Sequence, residues 1–325
     1  GQRWGELKRG IDLGLEALWP GPILLALYAS PDGRSLAAEV GYEKTWSLWV
    51  TPISGEAKPV SRDSRHQSFL AWASDRRAFV WDSLNRQEPI WLLDLDTQEH
   101  WEFSFPVSEF GTPLVRAIAV SPDGSLLADV SISGPTVSQP GSDVEIGLQP
   151  LTGGQRAPVS SIHVSQGADV PGQLLGWSPD GSTLALTVLA GMYDADTSND
   201  DCQLWLVERS SGSSMIVAHG VTAYYPVAWS PDGRYIALIR ADSPSQRQSP
   251  SNLWLFDLAT STEIQLSHYA GQRVTSLAWS SLGKMLAFAV TLGEYGEVWV
   301  TSLDGSDQYP VAGPTAPDAP IVWLR

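Results

Sequence analysis

Cysteine is almost absent from the sequence: Cys202 is the only one among 325 residues. A disulfide requires two thiols and a cysteine-rich metal site requires several, so the sequence excludes both within one copy of the chain. Long apolar runs are missing too. The longest, residues 23–28, has the length of a strand and is far shorter than the roughly 20 residues that a membrane-spanning helix needs. We therefore expect no membrane span within this sequence.

Positive charge is scarce. The chain has 20 Lys and Arg against 36 Asp and Glu, which gives a net charge of -16 and an isoelectric point near 4.6. Such a surface repels the phosphate backbone of nucleic acids, so we expect no nucleic-acid partner. The basic pair Lys8 and Arg9 is followed by Asp12 and Glu16, not by the apolar stretch of a secretory signal.

Sustained helical periodicity is also missing, and a turn motif recurs in its place. The motif Ser-Pro-Asp-Gly combines a residue that favours the first turn position, a preset backbone, a side-chain acceptor and a glycine that tolerates positive φ. Apolar residues flank each copy, which predicts an antiparallel hairpin. The serine of each copy, including two copies that have lost part of the motif at positions 74 and 280, stands at Ser30, Ser74, Ser121, Ser178, Ser230 and Ser280.

The copies are 44 to 57 residues apart, which is the period of a propeller blade. A strand with Leu-Trp or a similar pair follows each hairpin, except in the third copy, where Ile146-Gly147 stands at that place. Four strands per unit, rich in β-branched and aromatic residues, predict an all-β propeller of four-stranded antiparallel blades. A β-helix has much shorter coils and fits this period less well.

The spacing between motifs predicts how many blades there are. A third-strand Trp precedes the next turn serine by 25 to 30 residues, and Trp4 precedes Ser30 by 26. Trp299 likewise precedes Leu324 by 25, which places a first strand at 320–323. We therefore predict one domain over 1–325 with seven blades, in which 1–20 and 319–325 together form the closing blade; the alternative is six blades. The missing second strand of that blade would precede Gly1, so we expect a longer natural precursor.

The repeat Trp-Ser-Pro-Asp-Gly-x-x-Leu-Ala, followed by a Leu-Trp strand, resembles the TolB-like propeller family. That family is related to the propeller of the dipeptidyl peptidase and prolyl oligopeptidase group. The WD-repeat pattern fits less well, because its Gly-His and Trp-Asp signatures do not recur. The resemblance implies a bacterial extracytoplasmic protein, whether periplasmic, on the cell surface or secreted, with an upstream segment as a possible anchor.

Most of the 15 tryptophans are explained by the fold. Large aromatic rings in inner and third strands hold neighbouring sheets together, so we predict that these residues pack between blades. They are Trp4, Trp49, Trp72, Trp91, Trp177, Trp205, Trp229, Trp254, Trp279, Trp299 and Trp323.

Binding is expected at the face opposite the Ser-Pro-Asp-Gly turns. Three long connections, 131–143, 190–201 and 241–251, fall in neighbouring blades at that face, and long loops on a rigid frame commonly bind ligands. The turn aspartates, in contrast, are expected to cap local backbone. The predicted binding-face residues are Trp46, Asp143, Tyr193, Asp194, Asp196, Asp200, Asp201 and Arg247.

The middle loop contains four carboxylates and one Asn between 194 and 201. Oxygen ligands at alternate positions suit calcium, so Asp194, Asp196 and Asp200 are candidate ligands. The glycine and final glutamate of an EF-hand are absent there, which favours a solvated acidic loop. No cofactor is expected, and calcium is the alternative.

Four histidines, His66, His163, His219 and His268, fall between a fourth strand and the next inner strand. Imidazoles that meet at the propeller axis would bind a divalent metal, as in oligogalacturonate lyase, a related propeller enzyme that resembles this arrangement. The candidate ligands are His66, His219 and His268. Their distances to the next serine differ, which favours exposed loop histidines with no common metal.

No serine nucleophile is indicated, because Gly176-Trp177-Ser178 does not form a Gly-x-Ser-x-Gly elbow before a helix. The sequence therefore favours a non-catalytic, protein-binding scaffold propeller, a subunit or accessory of an extracytoplasmic assembly. Its partner would be another protein. The alternative is a metal-dependent polysaccharide lyase or hydrolase that uses the axial histidines.

Overall fold

The repeated turns and β-branched segments form strands, and the described residues contain no helix. The structure is a computed structural model that describes residues 23–30, 34–42, 45–52, 58–59, 67–74, 77–82, 90–97, 99–103, 105, 115–134, 141–165, 168–170, 175–190, 201–225, 227–315 and 321. Within these residues no helix is long and apolar enough to cross a membrane. The chain divides into two compact units, 1–103 with 324–325, and 104–323.

The first unit contains two four-stranded antiparallel sheets, each formed by consecutive strands. The first sheet consists of β1 (Ile23–Ala29), β2 (Ser35–Tyr42), β3 (Thr45–Pro52) and β4 (Lys58–Pro59). The second consists of β5 (Gln67–Ser74), β6 (Arg77–Asp82), β7 (Ile90–Asp94) and β8 (His100–Phe103).

The second unit contains four sheets of the same antiparallel type. The third sheet of the chain consists of β9 (Val115–Val120), β10 (Leu126–Ser133), β11 (Ser142–Pro150) and β12 (Ala157–Val164). The fourth consists of β13 (Ala168–Asp169), β14 (Leu175–Trp177), β15 (Thr183–Ala190), β16 (Asp201–Glu208) and β17 (Ser214–Ala218). The fifth consists of β18 (Ala228–Trp229), β19 (Tyr235–Ala241), β20 (Ser251–Asp257) and β21 (Thr262–Gln265). The sixth consists of β22 (Arg273–Trp279), β23 (Met285–Leu292), β24 (Tyr295–Ser302) and β25 (Gln308–Thr315).

The predicted four-strand unit is confirmed in all six sheets. In the fourth sheet the first strand is in two pieces, because β13 and β14 both pair with β15. The second strands are the most buried: β15 and β23 are almost entirely apolar and inaccessible. The two faces of β15 pack against the third and the fifth sheets.

Each sheet has two ends. The turn end has the hairpin between the first and second strands, and the loop end has the connection between the second and third strands.

The described Ser-Pro-Asp-Gly turns, in the third, fourth and fifth sheets, are fixed by the same hydrogen bonds, as the fifth turn illustrates. The Ser230 hydroxyl donates to the Asp232 carboxylate and accepts the backbone N–H of Tyr235. The same carboxylate accepts the N–H of Arg234, and the Gly233 N–H donates to the Ser230 carbonyl. The turn aspartates at 123 and 180 bond in the same way, which confirms their predicted capping role; Asp32 lies outside the described residues.

Turns of neighbouring sheets also touch. A Cβ placed on Gly233 would lie 3.6 Å from the Cδ atom of Pro179, and one placed on Gly283 would lie 3.2 Å from Cδ of Pro231. Both glycines have positive φ, 73° and 67°. The motif therefore needs glycine for backbone conformation and for room beside the proline of the preceding turn.

The inner-strand tryptophans join neighbouring sheets within each unit. The indole N–H of each donates to the backbone carbonyl two residues before the turn serine of the preceding sheet. These bonds are Trp72 to Tyr28 (3.2 Å), Trp177 to Ala119 (3.1 Å), Trp229 to Gly176 (3.3 Å) and Trp279 to Ala228 (2.9 Å). The predicted packing role is confirmed for these four residues.

The third sheet replaces the third-strand tryptophan with an ion cluster. Gly147 pairs with Asp129, a fully buried carboxylate on β10. The Arg156 guanidinium donates to Asp129 from Nε at 2.9 Å and to Glu145 from Nη1 at 2.6 Å. A Cβ on Gly147 would lie 2.2 Å from the Arg156 Cζ atom, so only glycine leaves room for the guanidinium. Elsewhere the Trp pairs with an apolar residue, namely Ala38, Val80, Leu186, Leu238 or Phe288.

The predicted closing blade, 1–20 with 319–325, lies outside the described residues apart from Ile321. The backbone N–H of Ile321 donates to the Ser276 hydroxyl on the inner strand of the sixth sheet at 3.1 Å. The seventh blade and the single domain over 1–325 therefore stay predictions.

Candidate functional site

Two exposed Asp–His pairs lie at the loop end of the third and fourth sheets. Asp143 is the second residue of β11 and Asp201 begins β16, each four residues before the position of the third-strand Trp or its replacement Gly. The carboxylate of Asp143 is 2.7 Å from Nδ1 of His163, and that of Asp201 is 2.6 Å from Nδ1 of His219. Each pair joins the third strand to the chain at the end of the fourth strand.

The pair at Asp201 is the more elaborate of the two. Burial raises the pKa of Asp201, but hydrogen bonds from His219, Gln203 and the Gly220 amide outweigh it, and the net pKa is lowered. The carboxylate is therefore ionised at neutral pH and acts as an acceptor for its neighbours. The His219 side chain is 63% exposed, so its free edge faces solvent.

The long connection of the fifth sheet, 242–250, is folded on itself. The Asp242 amide donates to the Pro250 carbonyl, and the Ser249 hydroxyl accepts the Ser243 amide at 2.7 Å. The exposed Tyr224 donates its hydroxyl to the Ser245 carbonyl, and thus fixes the loop to the strand connection beside it. These bonds give the loop a defined shape before any partner binds.

A second polar group orders the connection between β21 and β22 at the same end of the sheet. The Asn252 side chain accepts the Tyr269 amide at 2.7 Å and the Ser267 hydroxyl at 3.0 Å, and donates to the Tyr269 carbonyl. Burial raises the pKa of Tyr269 to about 12, with a smaller contribution from the charge of Glu297. Tyr269 is therefore a neutral phenol at any physiological pH.

The loop end of the second unit exposes aromatic and basic side chains. Tyr224 is 43% and Tyr295 is 46% accessible, and Arg247, His268 and His219 are exposed as well. Tyrosine and arginine are enriched at protein–protein interfaces, since each offers a large contact area and a polar terminus. The composition of this end therefore suits contact with another protein.

Several predicted residues lie outside what the structure describes. The loop candidates Tyr193, Asp194, Asp196 and Asp200, the histidine His66 and the side chain of Trp46 belong to this set. The calcium site therefore stays a prediction. In the described ranges, no three His, Cys, Asp or Glu side chains are close enough to hold a metal ion. The Nδ1 atoms of His163 and His219 are bonded to carboxylates of their own sheets.

Sequence reasoning did not find the Asp–His pairs. It compared the histidines by their distance to the next turn serine, and these distances differ because the connections differ in length. The signal that could have found the pairs is the position of the aspartate relative to the third-strand Trp. Asp201 precedes Trp205 by four residues, and Asp143 precedes Gly147, which stands in place of the Trp, by four residues as well.

A cleft opens at the turn end, between the fourth and fifth sheets. Its volume is about 470 Å³, and its lining includes Pro179, Asp180 and Ser182 from one turn. Asp232 and Trp229 line it from the next sheet. The sequence interpretation placed no site at this end, because it treated the turns as scaffold alone.

No protein-family model matches the sequence, and no curated protein matches it. Solved structures do match. TolB from Acinetobacter baumannii is 19% identical, with a TM-score of 0.54 over 91% of this chain and 66% of that chain. Oligogalacturonate lyase in complex with manganese is 14% identical, with a TM-score of 0.59 over 88% and 76%. The Cps50 (Swd1) β-propeller domain of Myceliophteria thermophila is 10% identical, with a TM-score of 0.57 over 93% and 90%.

Peptidase propellers match as well: dipeptidyl peptidase 4 of Porphyromonas gingivalis is 12% identical, with a TM-score of 0.54 over 89% of this chain and 46% of that chain. At these identities the likeness concerns the fold. Six described antiparallel sheets, the recurrent Ser-Pro-Asp-Gly turn and these neighbours together establish the architecture. The chain is an all-β propeller whose structural neighbours include TolB and the propeller domains of dipeptidyl and prolyl peptidases.

Proposed function

We propose that this protein is a non-catalytic scaffold propeller that binds another protein at the loop end of its second unit. The observation that carries the proposal is the exposure of Tyr224, Arg247 and Tyr295 at the loop end, where the loop 242–250 has a defined shape. Side chains of this kind dominate the energetics of protein interfaces. A loop already fixed by its own hydrogen bonds loses little conformational entropy when a partner binds.

The structural neighbours support a scaffold but do not specify its partner. TolB and the Swd1 propeller domain are both similar in fold over most of this chain. The net charge of -16 disfavours a nucleic-acid partner. The resemblance of the repeat to the TolB-like family supports a location outside the cytoplasm, which we propose for this protein. We also propose the loop 194–201 as a further part of the same surface.

Site-specific photo-crosslinking in the source cells tests the proposal. A photoreactive residue is placed at Tyr295 or Arg247 at the loop end. The control is Leu282 at the turn end, which is 79% exposed. We expect a discrete protein adduct from the loop-end positions only. Adducts of equal yield at the control position, or none at the loop end, would contradict the proposal.

The enzyme alternative is favoured by one observation, the fold similarity to the manganese-bound lyase. That reaction would need several metal ligands at one point, but no three His, Cys, Asp or Glu side chains of the described residues are close enough to hold a metal ion. Cleavage of acidic polysaccharides, assayed with added manganese and with chelator, separates the two functions. We expect no turnover under either condition; manganese-dependent cleavage that is lost in His219→Ala would replace the scaffold proposal.

A further inference from the structure

The outer strand of the fourth sheet, β17, lacks the features that protect the other described outer strands. An outer strand has one side without a neighbouring strand, and proteins protect such an edge with proline or with charged residues. Proline stands in β4, β12 and β25, and Glu102 and Glu263 stand in β8 and β21. The sequence of β17, Ser-Met-Ile-Val-Ala, contains neither proline nor a charged residue.

The register of β17 determines which of its backbone groups face outwards. The Glu208 amide donates to the Ser213 carbonyl at 2.9 Å, so these two residues form a hydrogen-bonded pair. Bonded and non-bonded pairs alternate along antiparallel strands, which makes Met215 a residue that bonds to β16 as well. Ser214 and Ile216 occupy the non-bonded positions, so the N–H and C=O of both point away from β16. No described strand pairs with that side of β17.

This edge is accessible, and the turn at its start is held in place. Ser214 is exposed, Met215 is 60% exposed and Ile216 is partly exposed. The Ser160 hydroxyl of β12 donates to the Gly212 carbonyl at 2.8 Å and so fixes the turn that precedes β17. A strand that is already extended loses little conformational entropy when another strand pairs with it.

The charge of the surrounding sequence indicates which kind of strand suits this edge. Residues 168–225, which include the whole fourth sheet, contain one basic residue, Arg209, and seven acidic ones. The acidic residues are Asp169, Asp180, Asp194, Asp196, Asp200, Asp201 and Glu208. A second copy of the chain, with its net charge of -16, would bring like charge to this edge and is therefore disfavoured. A strand that carries lysine or arginine is attracted instead.

We propose that the outer side of β17 binds an extended, positively charged segment of another polypeptide, which pairs with β17 as an additional strand of the fourth sheet. The backbone of this segment bonds to the outward N–H and C=O groups of Ser214 and Ile216, and its apolar side chains pack on Met215. The surface lies along the outer edge of the sheet and not at the loop end, so the proposal is independent of the proposed function.

Titration of the isolated protein with the capped peptide Lys-Thr-Val-Thr-Val-Lys tests this proposal. We expect saturable changes in the amide resonances of Ser214 and Ile216, and affinity about tenfold weaker when Glu replaces both Lys residues of the peptide. The same peptide with N-methylated Thr and Val keeps its charge but loses its backbone donors, and we expect it not to bind. Absence of saturable binding, or equal binding of any two of the three peptides, overturns the proposal.

Two other occupants of the edge would give different results. In the free protein we expect the amides of Ser214 and Ile216 to exchange quickly with solvent and that of Met215 to exchange slowly. Slow exchange of all three in a monomer would show that another segment of this chain covers the edge. A dimer in sedimentation that dissociates in Ile216→Pro would show that a second copy covers it. Either result overturns the proposal.

Two proline variants separate β17 from a neighbouring outer strand. Ile216→Pro removes an outward N–H but no bond to β16, and we expect it to weaken peptide binding about tenfold. Gln265→Pro is the matched control on β21, where the Leu266 amide donates to the Leu253 carbonyl and Gln265 is therefore at a non-bonded position. We expect this control to leave peptide binding unchanged.

Met215→Lys is a second test that leaves the backbone of β17 unchanged. The new cation stands on an exposed side chain and repels a positively charged strand, so we expect about tenfold weaker peptide binding in a protein of unchanged stability. Unchanged binding in both Ile216→Pro and Met215→Lys, or an equal loss in Gln265→Pro, overturns the proposal.

Discussion

The third and fourth sheets have the same strand order but fill one position differently. In the fourth sheet, Trp205 packs against the core between the two sheets, and its indole N–H donates to the Gln203 side chain. In the third sheet, Gly147 stands at that position, and the Arg156 guanidinium occupies the space where an indole would lie. Glu145, the counterpart of Gln203, accepts a bond from the guanidinium in place of the indole.

At this position the repeat requires a group of a certain volume that carries a hydrogen-bond donor. An indole meets both requirements in the fourth sheet, and a guanidinium meets them in the third. An indole supplies one N–H donor on an apolar ring. A guanidinium supplies several donors and a charge, so the partner on the second strand changes from Leu186 to Asp129. Glycine, arginine and aspartate thus replace tryptophan and leucine as a set. We expect that any one of the three, introduced alone, would change the stability.

The largest effect is expected from Arg156→Ala, which would leave the carboxylate of Asp129 buried without its cation. Breaking a buried ion pair on one side costs about 3–5 kcal/mol, since the remaining charge is uncompensated. Urea unfolding measures the change. Arg209→Ala, which removes an exposed arginine of the same unit, is the control and is expected to change stability by less than about 0.5 kcal/mol. Equal effects of the two variants would contradict the account.

A smaller loss is expected from Gly147→Ala, because the new Cβ overlaps a guanidinium that two carboxylates hold in place. Overpacking of this kind costs about 1–3 kcal/mol. Gly134→Ala is the matched control, since nothing lies within 4 Å of its added Cβ. Thermal unfolding of the two variants should differ, and similar curves would show that Arg156 moves aside without cost.

The next prediction concerns the indole hydrogen bond that joins the inner strands of the third and fourth sheets. Trp177→Phe keeps a large ring but removes the N–H that donates to the Ala119 carbonyl, so one hydrogen bond between the two sheets is lost. We expect a loss of about 1–2 kcal/mol in the free energy of unfolding. Trp101→Phe, at a ring that is 41% exposed, should have little effect. If the two changes were alike, the indole bond would have no role in joining the sheets.

The pH dependence of stability should have opposite signs for two classes of aspartate. Serine hydroxyls lower the pKa of the turn residues Asp123 and Asp304 to about 2, so their contribution is present above the ordinary value of 3.8 and is lost as pH falls towards 2. Burial raises the pKa of Asp129, although Arg156 opposes it. Its folded form therefore retains the proton to higher pH, and stability falls as pH rises through that interval.

Carboxyl titration by NMR measures these pKa values directly. The side-chain carbon of Asp123 should titrate near 2 and that of Asp129 above 3.8. The Ser121→Ala variant should raise the pKa of Asp123, because the hydroxyl of Ser121 is the strongest of its donors. A pKa of Asp123 that stays near 2 in this variant would show that the Ser121 hydroxyl is not the main cause of the lowered pKa.

Much of the fold could be predicted from the sequence because its signals are local and repeated. A Ser-Pro-Asp-Gly turn closes one hairpin wherever it occurs, and the Trp that precedes it, as at Trp229, packs on the preceding sheet. The replacement at Gly147 could not be interpreted in the same way. Its reason lies in Arg156, which immediately precedes β12, and in Asp129, on the preceding strand, and the pairing of the three strands brings these residues together.

The candidate sites were less predictable than the fold. The loop-end surface was predicted as a region, but the pairing of Asp201 with His219 depends on where a fourth strand ends. The turn-end cleft is lined by residues of two successive turns and by Leu258, which lie far apart in the sequence. Such differences between copies are visible in the sequence only after the structure has shown which positions face one another.

One measurement tests most directly whether the guanidinium replaces an indole. The triple variant Asp129→Leu, Gly147→Trp, Arg156→Ala gives the third sheet the pairing of Leu186 with Trp205 in the fourth. Replacing a buried ion cluster by apolar residues of similar volume is neutral or stabilising, by about 1–4 kcal/mol. The account predicts that the urea-unfolding free energy of the triple variant equals or exceeds that of the natural chain. A triple variant as unstable as Arg156→Ala alone would contradict it.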